Sequence, residues 1–415
     1  MNNPAPAHRL SGAQLVAAVC AAQVLVQLGA FFWPALLPGM MPRWGLTNSE
    51  AGWITAAFYG AYLLAVPILV TLTDRIDARR VYLFGVGCTI VAHLLFGWVA
   101  EGFWSALLLR ALAGIGWAGT YMTGLKLLAD QVDKILMSRA TAGHAASIGV
   151  SGAASFACAD LLAGAFGWPS AFLIAAASAT LAWLMVALLV PRQAAPPPRA
   201  TDGHALFDFR PVFRNRSAMA YAAAYCIHTL EMNALRGWGV AFLAYVAVST
   251  GAEARFSPTY VLTALGLIGT VASVLGNEAA IRWGRVKLIT VALLASIAIG
   301  GSIGFLGTLS YAAAVVLLLI YGFVVWLDSA SLTAGAAGSA EPSRRGATLA
   351  VHSMLGYSGG FVGPLMIGYT LDLAGGMSRM AWGMSFGLIA VLMLLALCVF
   401  RLMRPQELSG ERATR

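Results

Sequence analysis

The sequence predicts an all-α membrane protein of about twelve transmembrane helices, arranged as two pseudo-symmetric six-helix bundles. Of its 415 residues, 60% are hydrophobic and only 10% are charged, whereas a soluble domain carries roughly a quarter charged residues. The apolar runs are long and rich in Ala and Leu, which favours helices over the short alternating strands of a barrel. One long polar stretch divides the chain into halves of similar length.

The predicted helices follow from the apolar runs, since each crossing needs roughly twenty residues. The first run, from Gln14, is longer than a signal-peptide core and is kept as the first helix. The predicted spans are 14–37, 50–73, 81–99, 104–129, 140–164, 170–191, 217–247, 258–281, 288–307, 311–336, 347–374 and 380–403.

The polar stretch sets the predicted domain boundaries. Residues 1–191 form the N-terminal bundle, 192–216 a cytoplasmic linker, and 217–415 the C-terminal bundle with a short cytoplasmic tail. The linker contains three consecutive prolines and several charges, so we expect an extended connection and no separate domain.

The positive charges lie in short loops between the apolar runs, so the net charge of +9 does not indicate nucleic-acid binding. With the N-terminus in the cytoplasm, only Arg43, Arg255 and Arg379 fall on the opposite side. Because cytoplasmic loops gather Lys and Arg, we expect a multi-pass protein of the inner (cytoplasmic) membrane with both termini in the cytoplasm.

Several site types are not indicated. The five cysteines stand singly inside apolar runs without CxxC spacing, so neither a metal site nor a disulfide framework is predicted. The sequence shows no Ser-His-Asp set, metal-ligand cluster or Walker A motif, which argues against an enzyme, a cofactor and ATP hydrolysis. Any energy for transport would come from an ion gradient.

The loop after the second span carries a family motif. The segment from Leu72 to Val81 resembles the G-x-L-A-D-R-x-G-R-R loop of the major facilitator superfamily, matching it at Leu72, Asp74, Arg75 and Arg79. The resemblance implies that Asp74, Arg75 and Arg79 hold a cytoplasmic gate. Asp74 would need a cationic or helix-N-terminal partner, since an acid is unfavourable at a helix C-terminus. Alternatively, the arginines only anchor the loop to anionic lipid.

Three other segments support the resemblance. Residues 282–287 echo this loop in the second half, with Ile281 at the acidic position, and an internal repeat is typical of duplicated halves. The segment from Arg110 to Gly119 is similar to the family's R-x-x-x-G helix, and we place Arg110 with the gating residues. Its glycines, and those of residues 359–368, indicate close helix packing; the latter segment alternatively marks a bend.

Ionisable groups deep in a span are costly and point to function. His228, Glu231 and Arg236 lie in the seventh predicted span, and Asp328 lies in the tenth. We predict that Arg236 binds an anionic group and that Glu231, Asp328 and His228 exchange protons. The alternative is a structural ion pair between Arg236 and Asp328.

Amides and aromatic rings on other helices are candidates to line a solute cavity with Arg236. They are Gln23, Gln27, Tyr59, Tyr121, Trp326 and Tyr357.

The resemblance implies a secondary transporter that works by alternating access. The residues favour proton-coupled movement of a small organic or inorganic anion. Two alternatives stay open: a proton-driven exporter of drugs or metabolites, and a transporter-like sensor. The expected partners are a small-molecule solute, protons or another coupling ion, and the lipid bilayer, with no nucleic acid. We expect the chain to act as a monomer.

Overall fold

The computed structural model describes residues 10–193, 209–252, 256–341 and 344–408. Within these ranges the chain forms helices and no strand. The first half contains α1 (Gly12–Gln27), α2 (Phe32–Trp44), α3 (Asn48–Leu72), α4 (Ala78–Val99), α5 (Phe103–Ala118), α6 (Tyr121–Gln131), α7 (Lys134–Phe166) and α8 (Trp168–Leu189). The second half contains α9 (Arg210–Arg214), α10 (Arg216–Thr250), α11 (Pro258–Trp283), α12 (Arg285–Leu306), a 3-10 turn (Gly307–Leu309), α13 (Tyr311–Leu327), α14 (Ser329–Gly338), α15 (Arg345–Leu373) and α16 (Arg379–Met403).

Nine helical segments of the described residues are long and apolar enough to cross a membrane. The pairs α1–α2 and α13–α14 each count as one of them. The other three predicted spans correspond to α10, α15 and the interrupted pair α5–α6. The predicted all-helical membrane fold is confirmed. The domain boundaries stay a prediction, because residues 194–208 of the linker lie outside the described residues.

Three predicted spans that we expected to be continuous are interrupted. The breaks lie at residues 28–31, at residues 119–120 and at Asp328. The apolar run continues through the first of them, so hydrophobicity gives no sign of it. A break frees backbone groups that hydrocarbon cannot satisfy, so each one needs partners from neighbouring helices or from Ser and Thr side chains. At residues 119–120, the hydroxyls of Thr120 and Thr123 donate to carbonyl oxygens of the preceding turn.

The first break shows such partners. Arg110 donates from Nη1 to the Ala30 carbonyl oxygen at 3.0 Å, and the Phe31 backbone N–H donates to Ser155 Oγ at 3.0 Å. Arg110 is 2% exposed and lies 4.5 Å above the Phe58 ring. The hydrogen bond to the break therefore accounts for the buried position of Arg110. This position near the middle of α5 is distant from the loop after the second predicted span, with which we grouped Arg110.

Glycines allow the helices of each half to approach closely. A Cβ added at Gly359 would lie 1.9 Å from the Cys226 carbonyl oxygen, and one at Gly363 would lie 2.2 Å from the Leu230 carbonyl oxygen. These contacts join α15 to α10. Since α15 runs without interruption through Pro364, the glycines of this helix serve close packing.

The two halves contact each other mainly through three helix pairs: α3 with α15, α7 with α11, and α2 with α10. Helices α3 and α11 begin at the end of the molecule where α7 and α15 finish. We call this the closed end. The opposite end contains the loop 73–77 and the start of α12, and we call it the open end. No hydrogen bond between the described residues joins the two halves there.

Candidate substrate and proton sites

Arg236 lies near the middle of α10, without an acidic partner among the described residues. No carboxylate of the described residues lies within 4.0 Å of it, and none of their groups forms a hydrogen bond with it. Its guanidinium carbon lies 4.7 Å from the centroid of the Trp326 ring and 5.2 Å from that of Phe31. Phe31 belongs to the first half and Trp326 to the second. The cation therefore touches both halves, while its N–H donors have no acceptor among the described residues.

Tyrosines complete the surroundings of Arg236. The phenols of Tyr59, Tyr225 and Tyr357 are close enough to interact with it electrostatically. Tyr357 also stacks on Tyr62 across the two halves, with ring centroids 3.7 Å apart. Of the predicted lining residues, Trp326 contacts Arg236, and Tyr59 and Tyr357 lie within electrostatic range of it.

The predicted proton-exchange residues form two buried contacts between α10 and α13. His228 Nδ1 lies 2.9 Å from Asp328 Oδ1, although the angle does not satisfy hydrogen-bond geometry. Tyr321 donates from its hydroxyl to Glu231 Oε1 at 2.6 Å, and Glu231 Oε2 has no partner among the described residues. His228 and Glu231 are each 1% exposed, and Asp328 is 3% exposed.

The alternative ion pair between Arg236 and Asp328 is absent from the structure. Asp328 contacts His228 instead, while Trp326, two residues earlier, contacts Arg236. Trp326 precedes the break between α13 and α14, and Asp328 is the break residue. Helix α11 lies so close to this break that a Cβ at Gly276 would be 1.7 Å from the Leu327 carbonyl oxygen. The break is therefore held firmly against α11.

The two predicted glutamines lie elsewhere, inside the first half. Gln23 accepts a hydrogen bond at 3.1 Å from the Tyr82 hydroxyl. Gln27 lines a cavity of about 10 Å³ together with His93, Thr89 and Trp117, a size near that of a single water site.

Tyr121 stands at the start of α6, where its ring stacks on His144 with centroids 6.2 Å apart. Its carbonyl oxygen accepts a hydrogen bond from His144 Nε2 at 2.9 Å. The structure shows no direct contact between Tyr121 and Arg236.

The family-like loop at the open end is held by a different acid from the one expected. Asp74 and Arg75 are exposed, and their side chains form no hydrogen bond or ion pair with a described residue. Asp77 instead caps α4, accepting from the Arg79 N–H at 3.0 Å and from the Gln193 N–H at 3.1 Å. Arg79 donates to the carbonyl oxygens of Val186 and Ala187 at the end of α8.

The echo of this loop in the second half is completed by the C-terminal segment. Glu407 accepts hydrogen bonds from the backbone N–H of Arg285 at 2.7 Å and of Val286 at 2.9 Å. Arg285 donates from Nη1 to the Ser331 carbonyl oxygen at 3.0 Å. An acid distant in sequence thus caps the helix whose own loop has Ile281 at the acidic position.

Two carboxylates hold the closed end, one from each half. Asp372 of α15 accepts hydrogen bonds at 2.7–3.1 Å from the Asn48 and Ser49 N–H groups and from Asn48 Nδ2, at the start of α3. Asp160 of α7 accepts hydrogen bonds at 2.8 Å from the hydroxyls of Ser257 and Thr259, at the start of α11. Each acid lies at the positive end of a helix in the opposite half, where a negative charge is favoured.

Comparison with known proteins identifies the family. A family model described as Major Facilitator Superfamily matches residues 19–364. The chain belongs to this superfamily. The MFS-type transporter YceJ of Bacillus subtilis is 24% identical over 401 residues, which cover 89% of this chain and 91% of that protein. Protein spinster homolog 1 of Homo sapiens is 27% identical over 119 residues, which cover 28% of this chain and 22% of that protein.

Solved structures of superfamily transporters share the fold. A bacterial homologue of the human lysosomal transporter Spinster, in an inward-facing and unoccupied conformation, aligns with a TM-score of 0.78 at 16% identity, covering 94% of this chain and 96% of that chain. The nucleoside transporter NupG aligns with a TM-score of 0.74 at 14% identity, covering 94% of this chain and 98% of that one. The chain is therefore a multi-pass membrane transporter of the superfamily, and not an enzyme.

Sequence reasoning missed several residues of these sites. Phe31, Tyr225 and Tyr321 stand in apolar runs, where aromatic rings are usually packing residues or interface anchors. Asp160 lies near the end of a predicted span, where an acid can reach the interface or pair structurally, so its position alone does not indicate a function. A signal for it was present, because the pattern Asp-Leu-x-x-Gly that begins at Asp160 recurs at Asp372.

We predict that Asp372→Asn opens the closed end. Asparagine keeps the shape of the side chain but loses the charge and turns an N–H donor toward the N–H groups of α3. The loss of about 1.5 kcal/mol, which is typical of a hydrogen bond to a charged group, shifts a two-state ratio roughly tenfold. Spin labels at Arg43→Cys and Met380→Cys, in a chain lacking the five native cysteines, will report a longer distance.

Glu101→Gln is the matched control, because it removes an exposed acid near the same end whose side chain forms no hydrogen bond or ion pair with a described residue. Asp160→Asn should shift the distance in the same direction as Asp372→Asn. Unchanged distance distributions in both aspartate variants would show that these acids do not hold the halves together.

Proposed function

We propose that this protein is a secondary active transporter that moves a small anion by alternating access, with Arg236 as the anion contact and protons as the coupling ion. The observation that carries the proposal is the guanidinium of Arg236, which has no acidic partner among the described residues and lies between rings of both halves. Such a charge is costly within a membrane. A bound anion would compensate it and would at the same time bridge the two halves.

Proton coupling is supported by the two buried contacts of α10. Glu231 and the pair formed by His228 and Asp328 are almost fully buried, and each touches α13 or its end. Glu231 lies about 7.5 Å from Arg236 along the axis of α10. A proton on Glu231 or Asp328 would change the contacts of α13, and through Trp326 it would change the surroundings of Arg236.

A proton-driven exporter of drugs or metabolites is the second candidate. It would place a cationic solute against Glu231, whose Oε2 atom has no partner among the described residues. Tyr321 already occupies the other oxygen of this carboxylate, and the cation of Arg236 would repel such a solute. These contacts favour the anion.

We propose further that one chain forms the whole pathway as a monomer in the inner membrane, with both termini and the open end in the cytoplasm. Arg75, Arg79, Arg80 and Arg285 all lie at the open end, as expected for cytoplasmic loops. The arrangement described here would then open to the cytoplasm.

A reporter that is active only outside the cytoplasm should be silent when fused after Arg415. An active reporter would show that the orientation is the reverse of the one proposed.

The anion proposal predicts ligand stabilisation that depends on Arg236. We expect one or more anions in a panel of carboxylates, inorganic anions and lipophilic cations to raise the melting temperature of the detergent-purified protein. At a hundred times the dissociation constant, a ligand adds about 2.7 kcal/mol to the free energy of unfolding. The Arg236→Ala variant should lose this stabilisation.

The matched control is Arg282→Ala, which removes an exposed arginine at the end of α11. It should keep the response to the anion. Stabilisation by lipophilic cations alone, undiminished in the Arg236→Ala variant, would instead identify the exporter.

The coupling proposal predicts that Glu231→Gln and Asp328→Asn reduce pH-driven uptake of the most stabilising anion into proteoliposomes at least about tenfold. Exchange of the same anion across membranes without a pH gradient should persist, because the anion contact is intact. The control is Glu278→Gln, since the Glu278 side chain is 57% exposed. Full pH-driven uptake in both variants would exclude these carboxyls as the coupling groups.

A further inference from the structure

The aromatic residues around Arg236 restrict the anion further than charge alone. We infer that the solute is a monocarboxylate with a planar aromatic body, bound with its carboxylate on Arg236 and its ring among Trp326, Tyr225 and Tyr357. This inference rests on the proposed function, since it assumes that Arg236 binds the anion.

The charge balance favours a single negative charge on the solute. Arg236 is the half-buried cation that touches both halves. Arg110 is 2% exposed, is covered by Phe58 and donates to the Ala30 carbonyl oxygen, so it cannot reach a solute. His228 faces Asp328. A dianion such as sulfate would therefore meet one guanidinium and keep an uncompensated charge.

The donor geometry favours a carboxylate as the group that carries the charge. A guanidinium offers parallel N–H donors that match the two oxygens of a carboxylate in a bidentate pair. In Arg236 these donors have no acceptor among the described residues. A halide would use only one point of this fork.

The walls favour an aromatic body. Trp326 and Phe31 present ring faces to the cation at 4.7 and 5.2 Å. Tyr225 and Tyr357 are half-buried, so part of each ring stays available to a ligand. Tyr225 stacks on His228 and on His352, with centroids 5.6 and 4.0 Å apart, and Tyr357 stacks on Tyr62, so these two rings offer a ligand mainly their edges. A planar ring binds such edges through edge-to-face contacts, which a short aliphatic acid cannot form.

Benzoate is the probe that tests the inference. Acetate lacks the ring, sulfate carries two charges and no ring, benzyl alcohol is uncharged, and benzylamine carries a positive charge. We expect calorimetric titration of the purified full-length protein to give benzoate a dissociation constant at least about tenfold lower than acetate. The Arg236→Lys variant, which keeps the charge but loses the fork, should weaken benzoate about tenfold.

The rings are tested separately by Trp326→Leu and Tyr357→Leu, either of which suffices if the other fails to fold. Each should reduce the preference for benzoate over acetate to less than about threefold. The matched control is Trp98→Leu, because Trp98 is 76% exposed on the outside of α4. It should keep the preference.

The outcomes separate the aromatic carboxylate from the broader anion proposal. Acetate or sulfate binding as tightly as benzoate, and lost in the Arg236→Ala variant, would overturn the aromatic carboxylate while leaving the anion transporter intact. Binding of benzylamine or benzyl alcohol in preference to every anion would overturn both.

Discussion

A positive charge held inside a membrane without an acidic partner among the described residues is the constraint on which the rest of this structure depends. Leaving the guanidinium of Arg236 unpaired costs several kcal/mol, and the two rings beside it return only about 0.5–2 kcal/mol each. The remaining cost must be met by water or by a solute. Phe31 and Trp326 come from opposite halves. The binding of water or a solute to Arg236 therefore depends on how the two halves are arranged.

Helix α13 makes this charge part of a larger unit. The helix and the residue after it contact three residues of α10, pairing Tyr321 with Glu231, Trp326 with Arg236 and Asp328 with His228. A shift of α13 against α10 would change all three contacts together. The acids at the closed end hold the two halves together, since Asp160 and Asp372 each cap a helix of the other half. The open end has no comparable bond between the halves among the described residues. For the two halves to move from this arrangement to the opposite one, the bonds at the closed end must break and new contacts must form at the open end.

Much of the fold could be predicted from the sequence, because lipid requires long apolar helices and the charge distribution divides the chain. The breaks at residues 28–31 and at Asp328 could not, since they depend on partners such as Arg110 that lie on other helices. Within the site, Arg236 and Glu231 could be predicted as candidates, because a charged side chain deep in a membrane-spanning helix is costly and points to a function. Gln23 shows the opposite case: an amide on a predicted span faces a neighbouring helix as readily as a cavity, and here it bonds to Tyr82.

Movement of protons by an anion gradient is the most direct test of coupling between Arg236 and the buried carboxyls. Proteoliposomes containing the protein and a lumenal pH dye would receive an inward gradient of benzoate at equal pH on both sides, with protein-free liposomes correcting for passive entry of the acid. We expect the lumen to acidify faster than in the controls, with Arg236→Ala and the double variant Glu231→Gln/Asp328→Asn both reduced to the control rate. Anion entry through the protein without any added acidification, or acidification unchanged in the Arg236→Ala variant, would contradict proton-coupled anion transport.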